Sequence, residues 1–462
     1  MHIMDRFCIN DLTKNAHIHF IGIGGISMSG LAHIAIRNGY IVSGSDRSRS
    51  KITDKLSKEG AVIYEGHDAE NIGDAELVVH TAAVHADNPE MAEAARRGIR
   101  LIDRAEFLGA IMKGYKHAVG VAGTHGKTTT TSMLAHALIY ADTDPTISVG
   151  GELDLIGGNI RCGGTDMFVT EACEYTNSFL KFYPTIALIT NIEEDHLDFF
   201  TGIEMIRDSF RQFAELTRGI GAVVAYGEDE NIRLALEGTG LNIITYGIDP
   251  ENDYHAENIV YNTGYPSFDV YRGDNRLCRV SLNVPGGHNI LNALATIAVC
   301  ELLEVDAKTA ARGMENFKGT HRRFEKKGLI NGALVLDDYA HHPTEIKATL
   351  KAAKAFPHSR IRTVFQPHTY SRTRTLWDEF VNAFDDTDEL ILTHIYAARE
   401  IYDGVTDPDR LAAEIAKKGV DAKYIERFED IVQYIKDTAQ ENEIIFTMGA
   451  GDVTDIGAEL VK

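Results

Sequence analysis

A glycine- and threonine-rich stretch has the residue types of a phosphate-binding loop. In VAGTHGKTTTT, residues 121–131, an apolar run leads into two glycines, a lysine and five threonines, four of them consecutive. Main-chain N–H groups of such a loop surround phosphate oxygens, the lysine offsets their charge, and the first hydroxyl can bind Mg²⁺. The candidate nucleotide-binding residues are Gly123, Thr124, His125, Gly126, Lys127, Thr128 and Thr129.

The spacing of this loop differs from that of an ordinary Walker A loop. That motif has four residues between its first glycine and the Gly-Lys pair. Here two residues separate Gly123 from Gly126, and five separate Gly120 from it. The strand predicted before the loop and the helix predicted after it favour nucleotide binding. A glycine-rich turn with a surface lysine is the alternative.

Acidic side chains follow two strands predicted downstream of the loop. Glu171 ends the run MFVTE, Glu174 comes three residues later, and NIEEDHLD, residues 191–198, follows TIALIT. Because the carboxyl ends of parallel strands meet at one edge of a sheet, we expect these groups beside the phosphate loop. A divalent cation that neutralises the phosphates would explain them. Solvated acidic loops are the alternative in so acidic a chain.

A glycine turn near the N-terminus partly matches a dinucleotide-binding turn. In IGIGGISMSG, the glycines Gly22, Gly24 and Gly25 lie between a predicted strand and a predicted helix, and Asp46 ends the next strand. The fingerprint G-x-G-x-x-G requires glycine where Ser27 stands, which disfavours NAD. A nucleotide or nucleotide-sugar diphosphate at the helix N-terminus is the expected ligand. A tight turn without a ligand is the alternative.

The last third of the chain concentrates cationic side chains after two apolar runs. LVLDDYAHHPTEI contains Tyr339 and His341, and FQPHTYSRTRTLWDEF contains His368, Arg372 and Arg374. Arginine binds a carboxylate through two parallel N–H groups, so the carboxylate of an amino acid is a suitable ligand. A solvated surface patch is the alternative.

The elements that must position these groups follow an alternating pattern. Short β-branched runs alternate with helical patterns, which predicts an α/β fold with largely parallel sheets. A length of 462 residues exceeds one ordinary core and suggests three domains. The basic, glycine-containing segments MKGYKH and NFKGTHRR are the candidate boundaries. We therefore predict domains at residues 1–115, 116–318 and 319–462.

Composition excludes several classes of partner. The net charge of −22 gives no reason to expect nucleic acid or an anionic membrane. The five cysteines form no C-x-x-C pair and suit a reducing compartment. The N-terminal residues contain no apolar targeting segment, and no run of eighteen apolar residues occurs. A cytoplasmic monomer or homodimer is expected.

Several motifs together resemble the Mur ligase family, the ATP-dependent amide-forming ligases of bacterial cell-wall precursor synthesis. The resemblance rests on the loop GTHGKT, on VPGGHN, GTHRRFE and TMGAGDV, and on the two cationic stretches of the last third. It spans nearly the whole chain. It implies a Rossmann-like N-terminal domain that binds a UDP-sugar, a P-loop-type central ATPase domain, and a Rossmann-like C-terminal domain that binds an amino acid.

The resemblance also implies roles for individual residues. Metal ligands would be Thr128, Glu171 and His196, and further nucleotide-binding residues would be His288, Asn289, Asn292, Arg323 and Asp338. The UDP-sugar would lie against Gly22, Gly24, Gly25, Ser45, Asp46 and His67. The amino acid would lie against Tyr339, His341, His368, Arg372 and Arg374. Lys127, His341 and Arg372 would be catalytic.

The activity implied by the resemblance has two substrates besides ATP. They are UDP-N-acetylmuramate and L-alanine, with Mg²⁺ or Mn²⁺ as the cofactor. The segment MIRDSFRQF contains no lysine, which fits the alanine-adding branch of the family. A tripeptide acceptor is the alternative within the family. Outside it, the alternatives are an NAD-dependent oxidoreductase, which Ser27 disfavours, and a nucleotide-gated binding protein, which turnover would exclude.

Overall fold

The computed structural model describes residues 7–81, 84–85, 87–398 and 400–462. These residues form three sheets, each flanked by helices, so the predicted α/β class is confirmed. We call the three sheets with their helices the first, central and third units. Short 3₁₀ turns occur at Ile9–Asp11, Ala69–Ile72, Asp154–Ile156 and Tyr175–Lys181.

The first unit is a five-stranded parallel sheet in the order β3-β2-β1-β4-β5. Its strands are β1 (His17–Ile21), β2 (Ile41–Asp46), β3 (Val62–Glu65), β4 (Leu77–His80) and β5 (Arg100–Asp103). Its helices are α1 (Ile26–Arg37), α2 (Lys51–Lys58), α3 (Pro89–Arg97) and α4 (Arg104–Met112). The order reverses between β1 and β4, where a ligand crevice forms in such sheets.

The central unit is a ten-stranded sheet in the order β15-β14-β13-β12-β11-β10-β6-β9-β7-β8. Its strands are β6 (His117–Ala122), β7 (Thr146–Leu153), β8 (Gly158–Arg161), β9 (Met167–Glu171), β10 (Ile186–Ile189), β11 (Ala222–Tyr226), β12 (Ile243–Gly247), β13 (Tyr254–Asn262), β14 (Tyr265–Arg272) and β15 (Asn275–Ser281). Its helices are α5 (Lys127–Tyr140), α6 (Ile203–Glu215), α7 (Glu230–Leu236), α8 (His288–Leu302) and α9 (Ala307–Met314). The middle of the sheet is parallel, whereas β13, β14 and β15 form an antiparallel meander.

The third unit is a six-stranded sheet in the order β16-β17-β21-β18-β19-β20. Its strands are β16 (Glu325–Ile330), β17 (Ala333–Asp338), β18 (Arg360–Phe365), β19 (Glu389–Leu392), β20 (Asp421–Tyr424) and β21 (Glu443–Met448). Its helices are α10 (Pro343–Ala353), α11 (Tyr370–Thr375), α12 (Trp377–Val381), α13 (Pro408–Ala416), α14 (Phe428–Thr438) and α15 (Thr454–Leu460). Only β16 runs antiparallel to its neighbour.

The cores follow from the composition of the strands. Strands such as β10, with all four residues buried, are apolar on both faces because helices cover both sides of a parallel sheet. The core of the first unit is continuous with one face of the central sheet. At Gly109 of α4, a side chain would meet the Lys181 carbonyl oxygen at 2.0 Å, so glycine permits this close packing. No helix of the described chain is long and apolar enough to span a membrane.

Polar side chains connect the third unit to the central unit. Thr344 donates a hydrogen bond to Glu193, and Arg372 donates two to Asp195. The connection between the two units contains Arg322 and Phe324 in the left-handed region, at φ 59° and 52°. Non-glycine residues adopt this conformation only at a cost, and this backbone sets the direction of the intervening residue, Arg323.

Candidate active site

The phosphate loop lies at the centre of one sheet edge. Strand β6, which leads into the loop, pairs with β9 on one side and β10 on the other. Glu171 at the end of β9 and Thr190 after β10 therefore flank the loop. This juxtaposition was expected from the strand pattern, because parallel strands place their carboxyl ends on the same side.

Side chains that follow β10 hold the shortened loop. Asn191 accepts a hydrogen bond from the His125 main-chain N–H at 2.8 Å and donates one to the His125 carbonyl at 3.1 Å. A side chain at Gly123, where φ is 141°, would meet the Thr190 hydroxyl at 1.9 Å. The loop with its short spacing from Gly123 to Gly126 thus packs closely against the residues that follow β10. The first-turn N–H groups of α5, at Lys127 and Thr128, have no acceptor within the helix and can bind phosphate oxygens.

The loop lysine is paired with a buried carboxylate. The Lys127 ammonium lies 3.1 Å and 3.3 Å from the two oxygens of Glu174, and it also donates to the carbonyls of Gly123 and Thr124. Burial lowers the pKa of Lys127, but the negative charge of Glu174 outweighs burial and the net shift is upward. The lysine is therefore a fixed cation at neutral pH.

Oxygen ligands suited to Mg²⁺ lie beside the loop. The Thr128 hydroxyl donates to Glu171 at 3.1 Å, and the other Glu171 oxygen accepts from the Gly150 N–H at 2.6 Å. Burial raises the pKa of Glu171, so a cation near it would favour its ionised form. The third predicted ligand, His196, lies 3.7 Å from Glu174. These groups present a hydroxyl, carboxylates and one imidazole, and the oxygen donors fit a hard cation.

A cleft extends from the loop to the first turns of α8 and to the third unit. Most of the predicted nucleotide-binding residues line it: His125, Gly126, Thr128, Thr129, His288, Asn289, Asn292, Arg323 and Asp338. Its apolar wall includes Tyr246, Phe317 and Phe324, which the sequence analysis did not single out. The amide of Asn292 donates to Asn289 at 3.0 Å, which fixes both side chains in the wall.

Charged groups from the third unit close this cleft. Burial favours the neutral acid of Asp338 and raises its pKa to about 6, although Arg323 opposes the shift. The Asp338 carboxylate accepts from the main-chain N–H groups of Phe324 and Ala340, both at 2.8 Å. Arg323 lies over the Tyr339 ring and 3.5 Å from Glu345. Asp338 thus holds the segment that aims Arg323 at the nucleotide cleft.

The loop histidine forms an ion pair with the third unit. Nδ1 of His125 lies 3.1 Å from Glu345 on α10, and Nε2 lies 3.5 Å from Glu193. Burial lowers the pKa of His125, but the carboxylates of Glu345 and Glu193 outweigh it and raise the pKa to about 9. His125 is therefore an imidazolium at neutral pH, between two carboxylates from different units.

This pKa predicts a pH dependence of stability. The pKa of His125 in the folded protein lies above its ordinary value of 6.5. The stabilisation from its ion pairs is therefore complete below pH 6.5 and is lost as the pH rises through 9. The loss amounts to about 3 kcal/mol of unfolding free energy. Urea unfolding at pH 6.5 and 9.5 should show a fall in wild type that is smaller in His125→Gln. Equal falls in both proteins would contradict this assignment.

Four of the five predicted acceptor-binding residues come together. The His341 ring lies 5.4 Å from that of Tyr339 and 5.7 Å from that of His368, and His368 Nδ1 lies 3.1 Å from Arg372 Nη1. Nε and Nη2 of Arg372 donate to one oxygen of Asp195 at 3.1 Å and 2.8 Å. Asp195 thus occupies the Nε–Nη2 edge of the guanidinium and His368 contacts Nη1, which leaves one N–H of Nη1 and one of Nη2 for another carboxylate.

The fifth predicted residue, Arg374, is not brought into this cluster. Its guanidinium pairs with Asp403 at 2.6 Å, and its side chain is 55% exposed, against 11% for Arg372. Both arginines belong to α11, and residues two apart on a helix point in different directions. Helix geometry therefore separates two side chains that the motif had placed together.

The predicted residues of the first unit gather at the ends of β1 and β2. The Gly24 N–H donates to Asp46 at 2.8 Å, and Gly22 adopts φ 81° in the turn with Gly25. Ser45 donates to the fully buried Glu90 at 2.7 Å, and His67 lies 2.9 Å from the same oxygen.

Four acidic side chains were not predicted to pair with residues of these sites: Glu90, Glu174, Asp195 and Glu345. Glu174 and Asp195 were expected beside the phosphate loop, but nothing in the sequence paired them with Lys127 and Arg372. Glu345 has a local signal, because it stands three residues after His342 at the start of α10, where it completes a capping box. Glu90 has no local signal of a role.

Models of the Mur ligase family match nearly the whole chain. The family's catalytic domain matches residues 17–116, its middle domain residues 121–300, and its glutamate ligase domain residues 322–451. The chain belongs to the Mur ligase family. Its three units form the three-domain architecture that the sequence analysis predicted.

Individual members of the family are similar to this chain over nearly its whole length. The chain is 52% identical over 445 residues to a UDP-N-acetylmuramate–L-alanine ligase of Clostridium botulinum, covering 96% of this chain and 97% of that protein. It is 51% identical over 453 residues to the ligase of the same name from Caldanaerobacter subterraneus, covering 98% of each. The crystal structure of UDP-N-acetylmuramate–alanine ligase from Thermotoga maritima is similar, with TM-score 0.78, 31% identity and coverage of 96% and 98%. A murein peptide ligase from Psychrobacter arcticus has TM-score 0.68, 27% identity and coverage of 96% and 98%.

Proposed function

We propose that this protein uses ATP to join L-alanine to UDP-N-acetylmuramate, a cytoplasmic step of peptidoglycan precursor synthesis. The observation that carries the proposal is a continuous series of contacts from the phosphate loop to the acceptor cluster. It runs from Lys127 through Glu174, His196 and Asp195 to Arg372. Relatives named for this reaction, which share half of the residues over nearly the whole length, support it.

The substrates would be distributed over the three predicted domains. Residues 1–115 would hold the UDP-sugar at the Gly22 turn, residues 116–318 would hold ATP, and residues 319–462 would hold L-alanine. The carboxylate of UDP-N-acetylmuramate attacks the γ-phosphorus of ATP, ADP leaves, and an acyl phosphate forms. Lys127 offsets negative charge on the transferring phosphoryl group, which requires that it exchange its contact with Glu174 for one with phosphate.

The amine of L-alanine then attacks the acyl carbon, and phosphate leaves. His341 Nδ1 lies 2.9 Å from the Tyr339 carbonyl, so it carries the hydrogen and leaves the Nε2 lone pair for the amine. Burial lowers the pKa of His341 to about 3. So weakly basic an imidazole orients the amine through a hydrogen bond, and the proton that the attacking amine loses leaves with the departing phosphate as HPO₄²⁻. Arg372 would bind the alanine carboxylate through its Nη1–Nη2 edge.

The oxygen donors near the loop fit Mg²⁺, and Mn²⁺ would fit the same set. Thr128 and Glu171 would hold the ion, with His196 as a third ligand. A divalent cation there supplies charge neutralisation of the ATP phosphates. The Gly150 N–H and the Thr128 hydroxyl orient the Glu171 carboxylate through hydrogen bonds.

Glu171→Gln should lower phosphate release by about 100-fold or more and raise the Mg²⁺ concentration needed for half-maximal rate. The amide keeps the size of the side chain but loses the charge. Steady-state phosphate release over a range of Mg²⁺ concentrations tests it. Glu152→Gln, an exposed carboxylate on neighbouring β7, is the matched control and should behave as wild type. Full activity of Glu171→Gln in excess EDTA would refute the metal assignment.

The proposed reaction is tested by phosphate release from ATP with UDP-N-acetylmuramate and a panel of acceptors. L-alanine should be the best substrate, and glycine and L-serine should be poor but detectable. The methyl group of alanine contributes only about 1 kcal/mol of apolar discrimination. D-alanine should fail, because a fixed carboxylate and a fixed amine direct its methyl group to the wrong side.

The same panel tests the alternative within the family. If L-Ala-D-Glu-diaminopimelate supports turnover and free L-alanine does not, the protein is a tripeptide ligase. If no acceptor stimulates phosphate release, the proposed ligase activity is wrong. Sedimentation analysis would distinguish the expected monomer from the expected homodimer.

A further inference from the structure

Three potential metal ligands face one another where the phosphate loop meets the third unit. They are Nε2 of His125 in the loop, a carboxylate oxygen of Glu193 after β10, and Nδ1 of His342 at the start of α10. The Glu193 oxygen lies 3.5 Å from His125 Nε2 and 3.9 Å from His342 Nδ1. Two imidazoles and one carboxylate from two units thus converge on one point.

The second ring nitrogen of each histidine is anchored by a polar contact. His125 Nδ1 lies 3.1 Å from the Glu345 carboxylate, and His342 Nε2 lies 3.2 Å from the Glu194 main-chain carbonyl. A carbonyl only accepts, so the His342 hydrogen is on Nε2, and Nδ1 accepts a 3.3 Å bond from the Thr344 N–H that a metal ion would replace. The Glu193 oxygen that faces the histidines, Oε2, also accepts from the Thr344 hydroxyl at 2.6 Å. Proteins orient histidine ligands of metals in this manner, with the second nitrogen bonded to a carboxylate or a carbonyl.

The charge of the cluster also calls for a cation. Two carboxylates flank the His125 ring, with Glu345 3.1 Å from Nδ1 and Glu193 3.5 Å from Nε2. The Nε2 atom is buried, and the described residues offer it no well-aligned hydrogen-bond acceptor. A divalent cation between this nitrogen and Glu193 would give the nitrogen a partner and offset the carboxylate charge.

We propose that His125, Glu193 and His342 form a binding site for Zn²⁺ between the central and third units. Two imidazole nitrogens and a carboxylate suit Zn²⁺, whereas Mg²⁺ prefers oxygen ligands. Ligands about 2.0–2.1 Å from a tetrahedral ion lie about 3.4 Å apart. The two separations from Glu193, 3.5 Å and 3.9 Å, are close to this value, and the two histidine nitrogens lie within 4.8 Å of each other. His125 and Glu193 line the nucleotide cleft, from which a water molecule would supply a fourth ligand.

The site is distinct from the oxygen ligands of Thr128 and Glu171 and has a different consequence. Its ligands come from two units, so a bound ion opposes their separation and occupies one end of the nucleotide cleft. Zn²⁺ should therefore raise the unfolding temperature of the substrate-free protein. Binding of Zn²⁺ at this site requires neither ATP nor either substrate, so it can be tested independently of the ligase activity.

Metal titration of the substrate-free protein, in excess Mg²⁺ to fill the oxygen sites, tests the proposal. Co²⁺ should give the visible absorption of a tetrahedral nitrogen- and oxygen-ligated site with a stoichiometry of one, and Zn²⁺ should abolish it by displacement. A chromophoric chelator gives the Zn²⁺ affinity. That affinity should fall as pH is lowered, because the ion must displace the proton of His125.

Two variants remove ligands while keeping the local structure. His342→Asn retains an acceptor for the Thr344 N–H at the start of α10, and Glu193→Gln retains the size of the side chain. Each should weaken Zn²⁺ binding at least tenfold and remove the Co²⁺ absorption. His321→Asn is the matched control, because its imidazole also lies between carboxylates of two units, Asp154 and Glu325, but has no second histidine.

The controls separate the proposed site from other sources of binding. His321→Asn and Glu171→Gln should both bind Zn²⁺ as wild type does. Loss of the absorption in Glu171→Gln would place the ion at the oxygen ligands of Thr128 and Glu171 and overturn the proposal. Unchanged Zn²⁺ affinity in both His342→Asn and Glu193→Gln would overturn it as well. So would a failure of the wild-type protein to bind one equivalent of Zn²⁺ tightly.

Discussion

Lys127→Ala is expected to lower phosphate release by at least about 10²–10³-fold, the cost of removing one aligned charge from the transition state. In the proposed reaction, the Lys127 ammonium at the start of α5 would offset the negative charge of the transferring phosphoryl group. Phosphate release at saturating ATP, UDP-N-acetylmuramate and L-alanine measures the effect. Wild-type-like turnover by a folded Lys127→Ala protein would refute the assignment of the loop.

The buried partner of this lysine determines the necessary control. Glu174 is 3% exposed, and Lys127→Ala leaves its carboxylate without the ammonium that neutralises it. An unpaired buried charge destabilises a protein by about 3–5 kcal/mol, so the single variant combines two effects. In the double variant Lys127→Ala/Glu174→Gln, the buried negative charge of Glu174 is removed as well. The double variant should regain stability in urea unfolding but remain inactive.

Arg372→Lys is expected to reduce kcat/KM for L-alanine by about 30-fold or more while the KM for ATP changes little. Lysine keeps the positive charge but loses the planar guanidinium that bonds Asp195 along one edge and can bond a carboxylate along another. The missing bonds correspond to about 2 kcal/mol or more of transition-state stabilisation. Initial rates over a range of L-alanine concentrations, at saturating ATP, measure the change.

Arg374→Lys is the matched control for this prediction. It makes the same substitution two residues away in α11, on a side chain that is exposed and paired with Asp403. The acceptor kinetics of this variant should match wild type. An equal loss of L-alanine use in both variants, or a loss in Arg374→Lys alone, would contradict the assignment of Arg372 as the acceptor-binding arginine.

The local motifs of the sequence determined the class of fold and the position of the phosphate loop. Strand patterns, glycines and the Gly-Lys pair are local features, so β6, Lys127 and α5 could be predicted without knowledge of distant residues. The proximity of Glu171 to Thr128 also followed, because parallel strands end on one side of a sheet. The antiparallel meander β13–β15 was not predicted, since short apolar runs do not reveal the direction of their neighbours.

Only the tertiary structure decided which charges pair across the units. Asp195 and Arg372 are 177 residues apart in sequence, and their contact depends on how the third unit packs against the central one. The motif presented Arg372 and Arg374 as equivalent, and the orientation of α11 separated them. The sequence by itself determined the chemical groups and their local backbone, because these depend on neighbouring residues. Their partners depended on packing between units, because ion pairs such as His125 with Glu345 join residues that no local pattern relates.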